Sequence, residues 1–375
     1  MTHEAAQSLF RFCDLCIWSG PTALIPGLNK SLVIYATTRL EFGRNDAGID
    51  WRQPYYRAET AKLRWRKWVM TLIKLSKHPR HTIAANSKYD VEYIRYHTGI
   101  DAVYLPSWCG DADFSFADQR SWTGTCLPPT YMPYRPEVLL APYRMNLDRG
   151  RWDTGRDKFM HPIYLEMQSA RARHKLLYEE DAPEIKFISE VYKTSDPQNL
   201  VAHPALVIVP YQVSTMSLFE YYRMNMPMFA PSVELLTSWC VKHDQMWERV
   251  YGWPERQDDL IGHKARSPDP NADTPEARAY WLPLADFYTW PHIVHFDSWE
   301  DLLEKLETTD FEEVSRRMKA HNKAERHSLS MKWREIILRM RKYRPHTLTG
   351  DIATRMRAIP GRPLTDASIG STSRD

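Results

Sequence analysis

The chain reads as an α/β protein of two halves, each built on a parallel sheet, and three observations carry that expectation. Short β-branched and aromatic runs alternate with amphipathic helical patterns, the sequence form of strand–helix–strand units. A stretch rich in Pro and Gly at 107–135 interrupts the alternation once, and a second series follows it. The chain has 375 residues, 43% of them hydrophobic, which is enough apolar material for two cores.

In the first half, strands are expected at 12–18, 31–37, 81–85 and 102–106. A helix through Trp65, Trp68, Val69, Leu72 and Ile73 keeps one face at i, i+3, i+4, i+7 spacing, and a second helix at 89–97 stops at Gly99. Asn86 and Ser87 stand where they would cap that second helix. Cys13 and Cys16 form a C-x-x-C inside the first apolar run. One such pair does not fill a tetrahedral metal site, so a buried strand is the better reading. Ser107 and Cys109 follow the fourth strand at the start of the linker.

In the second half, a short buried strand covers Val138 to Ala141, and a charged helix covers 160–180. Strands follow at 185–191, at 205–210 (the most apolar run of the chain) and at 228–230. Residues 252–278, rich in Pro, Asp, Arg and Gly, read as an exposed excursion. A late strand at 293–296 leads to Ser298, which with Asp301 fits a capping pattern, and residues 311–342 give one or two helices.

Composition excludes several classes. Lys plus Arg total 50 against 47 Asp plus Glu, too balanced for a polybasic arm or an acidic tail. Five cysteines do not suggest a disulfide framework. No run spans a bilayer, and the first residues lack the charged and apolar regions of a signal peptide, so the chain as given reads as soluble or peripheral. Walker A, G-x-G-x-x-G, H-E-x-x-H and G-x-S-x-G are all absent. With 14 Trp and 20 Tyr the chain is aromatic-rich, which suits sugar or base clefts and cores alike.

The most informative stretch runs from Val207 to Pro231: a buried strand, a polar turn, a helix from about Ser217, then a short strand after Pro227. A helix opening at the carboxyl end of a parallel strand presents unpaired N–H groups and the positive end of its dipole, which favours an anion. Tyr211, Gln212, Ser214, Thr215 and Ser217 add polar groups there. This segment resembles the donor-binding region of GT-B glycosyltransferases. The resemblance implies two Rossmann-like domains facing a cleft, a nucleotide-sugar as co-substrate, a glycan, protein or lipid acceptor, and no metal requirement. It places Glu220 on the donor ribose, with Ser214, Thr215 and Ser217 at the diphosphate. In the E-x7-E subset a first Glu stands eight residues before the second. Here that residue is Gln212, which cannot give or take a proton as a carboxylate does. The second reading of Glu220 is structural: Ser217 and Glu220 match a capping box.

Other candidates are assigned by position. Arg144, after the first strand of the second half, stands where the resemblance puts a basic residue on the donor diphosphate, and Lys193, ending the strand after it, is a similar candidate. Either could equally be a surface cation. Arg39, Glu41 and Arg44 follow the second strand and read as acceptor-side contacts or as a local salt bridge. Seven Lys or Arg and no acid lie at 62–80 (Lys62, Arg64, Arg66, Lys67, Lys74, Lys77, Arg80), either a peripheral membrane contact or the solvated face of a packed helix. Nothing resembles a nucleic-acid-binding motif. His203, His292 and His295 are cleft candidates by position alone.

The expected organisation is a first domain at 1–110, incomplete beside its GT-B counterpart, and a linker at 111–135. A nucleotide-sugar domain at 136–310, helices at 311–343 crossing back to the first domain, and a flexible tail at 344–375 complete it. The expected activity is sugar transfer to an acceptor hydroxyl, with no catalytic base assigned. The rival expectation is an inactive glycan-binding or scaffold protein of the same fold.

Overall fold

The computed structural model describes residues 15–18, 31–36, 66, 69–108, 134–141, 161–193, 197–213, 216–243, 245–246, 267–270, 272 and 274–343. The linker at 111–135 except its last two residues, the tail at 344–375, and Cys13, Arg39, Glu41, Arg44, Cys109, Arg144, Ser214 and Thr215 lie outside these. The fold is α/β, with two parallel sheets and helices around both.

The first sheet has four strands in chain order: β1 (Leu15–Trp18), β2 (Ser31–Ala36), β3 (Thr82–Ala85) and β4 (Val103–Tyr104). All pairings are parallel, with Cys16 opposite Leu32 and Ile34 opposite Ile83. Side chains alternate between faces, as strand geometry requires. Ile34, Ala36, Ile83 and Ala85 join a core with Val69 and Leu72 from the helical residues 69–76. The same core takes Tyr89, Tyr93 and Ile94 from α1 (Lys88–Thr98). Val33, Ala84 and Leu105 face the other way.

Right-handed crossovers between parallel strands in sequential order all fall on one face. That leaves the second face bare, and a helix from the far end of the chain covers it. This is α10 (Phe311–Lys342), introduced below with its neighbours. Its Leu329, Ile336 and Met340 pack on Val33, Ala84 and Leu105, with Trp333 edge-on to Tyr35 at 6.2 Å. Thus α10 is a single helix of 32 residues, about 48 Å long at the usual rise. Asp310 caps it, accepting from the Glu313 N–H at 2.9 Å.

The second sheet has five strands: β5 (Val138–Leu140), β6 (Ile185–Phe187), β7 (Leu206–Val207), β8 (Met228–Pro231) and β9 (Val294–Phe296). Their spatial order is β6-β5-β7-β8-β9, all parallel, so the order reverses between β5 and β7. The helices of this half are α2 (Pro162–Tyr178), the single turns α3 (Ile188–Val191) and α4 (Pro197–Leu200), α5 (Met216–Arg223) and α6 (Val233–His243). After them come α7 (Pro275–Trp281), the turn α8 (Asp286–Thr289) and α9 (Trp299–Thr308). The strands are buried throughout their central members, and each fully buried aromatic such as Phe229 or Trp239 contributes about 1.5–3 kcal/mol. The core of this half is continuous with the α1 face of the first sheet.

Three expectations are corrected. The strand expected at 185–191 ends at Phe187, because Glu190 turns back to accept from the Phe187 N–H at 2.8 Å and closes a helical turn. The excursion expected at 252–278 is packed in over its described end: Pro270, Ala277 and Arg278 are buried, and the Trp281 indole donates to the Pro268 carbonyl at 2.9 Å. At Ser298 the hydroxyl does cap α9, accepting from the Asp301 N–H at 3.1 Å, but the Asp301 carboxylate bonds the Asp297 N–H instead.

Candidate functional site

Ligands of open parallel sheets gather at the carboxyl ends of the strands, where the strand order reverses. In the second sheet that point lies between β5 and β7. Beyond β7 the chain makes the turn 208–213 and enters α5, an eight-residue helix. The N–H groups of its first turn have no acceptor within the helix, and the dipole adds positive potential. Tyr211 and Gln212 are half-buried beside this end, and Ser214 and Thr215 fall in the gap between turn and helix.

Burial along α5 separates structural from available side chains. From Leu218 to Pro231 every side chain is buried except that of Glu220, which is exposed. Its carboxylate makes no hydrogen bond or ion pair among the described residues. The capping box expected between Ser217 and Glu220 does not form. The helix begins at Met216, which puts Ser217 inside it, and the Ser217 hydroxyl pairs with the Tyr221 side chain one turn on. Of the two sequence readings of Glu220, the capping one therefore falls.

The opposite end of α5 is built differently. Arg223 is buried, and its guanidinium donates to Asn322 Oδ1 and to the Ser107 carbonyl at 3.3 Å, and pairs with Glu325. It lies over the Trp108 ring at 4.4 Å and near Trp290 at 5.2 Å. Asn322 in turn donates to the Tyr222 carbonyl at 2.9 Å and to Asn225 Oδ1 at 2.7 Å. Asn225 sits just past the helix at φ 55°, the left-handed region that Asn tolerates, and Ser315 donates to its carbonyl at 2.7 Å. One cation thus ties α5 to the residues after β4 and to α10.

The carboxyl ends of the first sheet meet the same seam. The Tyr35 hydroxyl donates to the Leu105 carbonyl at 2.7 Å, and burial pushes its pKa up to about 12. Asn86 Nδ2 donates to Ser107 Oγ at 3.4 Å, and Ser87 caps α1 by accepting from the Asp90 N–H at 3.0 Å. The Trp290 indole donates to the Tyr104 hydroxyl at 3.4 Å. Asp286, first residue of α8, is fully buried and neither carboxylate oxygen has a hydrogen-bond partner. Burial, then the neighbouring Asp90 and Glu325, hold its pKa well above the usual carboxylate range, against the opposing pull of Arg223 and Lys88. Burial thus favours the neutral form of the Asp286 carboxyl.

Where α1, α6 and α7 meet lies a cavity of about 30 Å³, lined in part by Tyr89, Val213, Cys240, Arg278 and Trp281. That is room for about two waters. Among the described residues no group of three or more His, Cys, Asp or Glu is arranged to hold a metal ion.

The remaining sequence candidates are distributed elsewhere. Lys193 is exposed, beyond the turn α3 rather than at a strand end. His203 is buried and bonded to the Tyr192 hydroxyl and the Glu137 carbonyl, both at 2.7 Å, and His295 bonds the Phe287 carbonyl at 2.8 Å, so both are structural. His292 is exposed at φ 68°. In the basic stretch, Val69 and Leu72 are buried while Arg66, Lys74 and Lys77 are exposed. Sequence inspection passed over Asp286, Asn322 and Glu325. The only local sign was an Asp opening a one-turn helix. Comparison of the chain with known protein families, with curated proteins and with solved structures finds no match.

Proposed function

We propose that the chain binds a nucleotide-sugar at the strand-order reversal of its second sheet and transfers the sugar to an acceptor hydroxyl, in the manner of GT-B glycosyltransferases. The observation that carries this reading is Glu220. It is the single exposed side chain between Leu218 and Pro231, its carboxylate makes no bond among the described residues, and it lies one turn into a helix that follows β7. A solvent-facing carboxylate so close to an anion-favouring helix end suits a ligand that carries both phosphates and sugar hydroxyls.

In this reading the diphosphate lies against the first-turn N–H groups of α5, with Ser214, Thr215 and Ser217 as hydroxyl donors. The Glu220 carboxylate accepts from the ribose hydroxyls. As the bond to the sugar breaks, negative charge grows on the diphosphate, and fixed donors at the helix end stabilise that charge more than they stabilise the ground state. Gln212 offers an amide, not a carboxylate, to the donor sugar. The acceptor would enter from the side of the first sheet.

A second reading is favoured by the cavity. Room for about two waters between the halves, and a seam closed by Arg223, suit a glycan-binding or scaffold protein that has no turnover. A thermal-shift screen against UDP, GDP and their sugars separates the two, because a ligand of the folded state raises the melting point. A shift followed by donor hydrolysis supports transfer. A shift with no hydrolysis supports binding alone, and no shift with any nucleotide removes the nucleotide-sugar reading.

A further inference from the structure

The outer face of α2 is apolar, and its pattern is symmetric. Ile163, Met167 and Ala170 are buried in the core, as an amphipathic helix requires, and Tyr164 stacks on Phe187 at 5.3 Å. The opposite stripe holds Leu165, Ser169, Ala172 and Leu176, all exposed, at the i, i+4, i+7, i+11 spacing of a coiled-coil seam. Leu176 is 83% exposed and Leu165 44%. The Ser169 hydroxyl donates to the Leu165 carbonyl of its own helix at 2.8 Å, so the stripe requires no polar partner. Leu177 and Tyr178, which end the helix, are exposed as well. Val241 of α6 is a further apolar side chain at this surface, 64% exposed and two residues from His243, whose ring bonds Glu166 at 3.0 Å. Among the described residues nothing covers the stripe.

Single exposed leucines are ordinary, but these are not single. The stripe reads the same from both ends about the point between Ala170 and Arg171: Leu165 stands as far before it as Leu176 stands after, and Ser169 as Ala172. A two-fold axis through that point lays α2 antiparallel on the α2 of a second copy. Each Leu165 then meets a Leu176, and the small side chains at the centre let the helices come close. The charges obey the same symmetry. In an antiparallel pair each flank of the seam faces its own counterpart. One flank carries Glu166 and Arg173, and the other carries Gln168 and Lys175. The axis sets Glu166 within about 3 Å, measured along the helices, of the level of Arg173 in the second copy, and does so twice. Lys175 falls level with Gln168 in the same way, so no like charges are opposed. Within one chain Glu166 bonds His243 and Arg173 pairs with Glu300, yet both remain about half exposed and open to a further partner.

We propose that two copies of the chain associate through α2, antiparallel about this axis, with Leu165 and Leu176 in the seam and Glu166 paired with Arg173 across its flank. A partner of another kind would use the apolar stripe but gives no reason for its palindrome, nor for charges that complement themselves. The association does not depend on the sugar-transfer reading. A helix that returns between parallel strands runs against them, so α2 begins at the carboxyl edge of the second sheet and ends at the other. The axis therefore points the carboxyl edges of the two copies, and with them the α5 entrances, in opposite directions. A single helix pair makes a small interface, below about 1,200 Å², and contacts of that size associate weakly.

The test is sedimentation equilibrium of the full chain, from about 1 to about 300 μM, where a monomer–dimer equilibrium with a dissociation constant of about 10–100 μM is expected. Leu176→Asp should raise that constant about a hundred-fold or more, because the dimer buries this side chain twice. Its melting point at low concentration should match the parent, since the side chain is exposed in one copy. Glu166→Lys and Arg173→Glu should each weaken the dimer about five-fold by opposing like charges, and the two together should restore it. The two positions lie about 10 Å apart along one helix, out of each other's reach, so the recovery reads a contact between copies. A monomer at every concentration overturns the proposal, as does a dimer that Leu176→Asp leaves intact. A dimer that the double reversal fails to restore overturns the antiparallel pairing and the proposal with it.

Discussion

Two side chains of α5, Arg223 and Glu220, lie about 4.5 Å apart along one helix and follow opposite rules. At Arg223 the polar groups are buried and tied into a network of Asn322, Glu325 and the Ser107 carbonyl, with Trp108 stacked on the guanidinium. Glu220, three residues earlier, is exposed and its carboxylate makes no bond among the described residues. A buried cation with this many partners ties α5 to both halves, whereas an exposed carboxylate with no partner among the described residues adds little to stability. The difference separates a residue tied into the architecture from one that has no partner among the described residues.

That contrast breaks first at Arg223. Arg223→Ala should cost about 3–5 kcal/mol in chemical unfolding, because the Glu325 carboxylate and Asn322 lose their buried partner. A loss under about 1 kcal/mol would mean that the seam is not what holds α5 in place.

Asp286 sharpens the comparison, since it shows what an unbonded carboxylate costs when it is buried rather than exposed. Its pKa is raised in the fold, so the native state binds more protons than the unfolded chain. The stability it contributes is complete below the unfolded carboxylate range and is lost as pH rises toward the raised folded value. Asp286→Asn removes that loss and should stabilise the protein by about 1–3 kcal/mol at neutral pH, with little change near pH 4. Melting curves across that pH span give the answer, and an equal change at both ends would place the effect elsewhere than in ionisation.

The smallest expected effect lies at the entrance of α5. Gln212→Ala should leave the affinity for a bare nucleoside diphosphate unchanged and lower that for the sugar-bearing form about three- to ten-fold, the worth of one neutral hydrogen bond. Calorimetric titration with both ligands reads this directly, and equal losses for the two would move Gln212 to the nucleotide.

Much of the frame was legible locally. β-branched runs at Val33 and Ile34 and at Leu206 and Val207, Gly99 after α1 at φ 69°, and Ser87, Ser298 and Asp310 at helix starts all carry short-range rules that the fold obeys. Ile188 to Val191 misled because apolar and β-branched residues look like strand, while the bond from Glu190 to the Phe187 N–H decides for a turn. Residues 267–278 misled because Pro and Asp suggest solvent, while Trp281 draws the segment into a nest of Tyr89, Tyr93 and Tyr96. The seam was not legible at all. Arg223, Asp286 and Asn322 are separated by 60 residues or more from at least one partner each, and no periodicity or local motif marks such a meeting. Glu220 stood out in the sequence with two explanations, and only the start of α5 at Met216 removed the capping one.

The most direct test is calorimetric titration of UDP and GDP into the parent chain and into Glu220→Ala, with melting curves on both. Loss of a charge-assisted hydrogen bond should weaken the nucleotide that binds by about ten-fold or more, with stability changed by less than about 0.5 kcal/mol. Unchanged affinity in a variant that melts with the parent would contradict the account, as would the failure of either nucleotide to bind the parent chain.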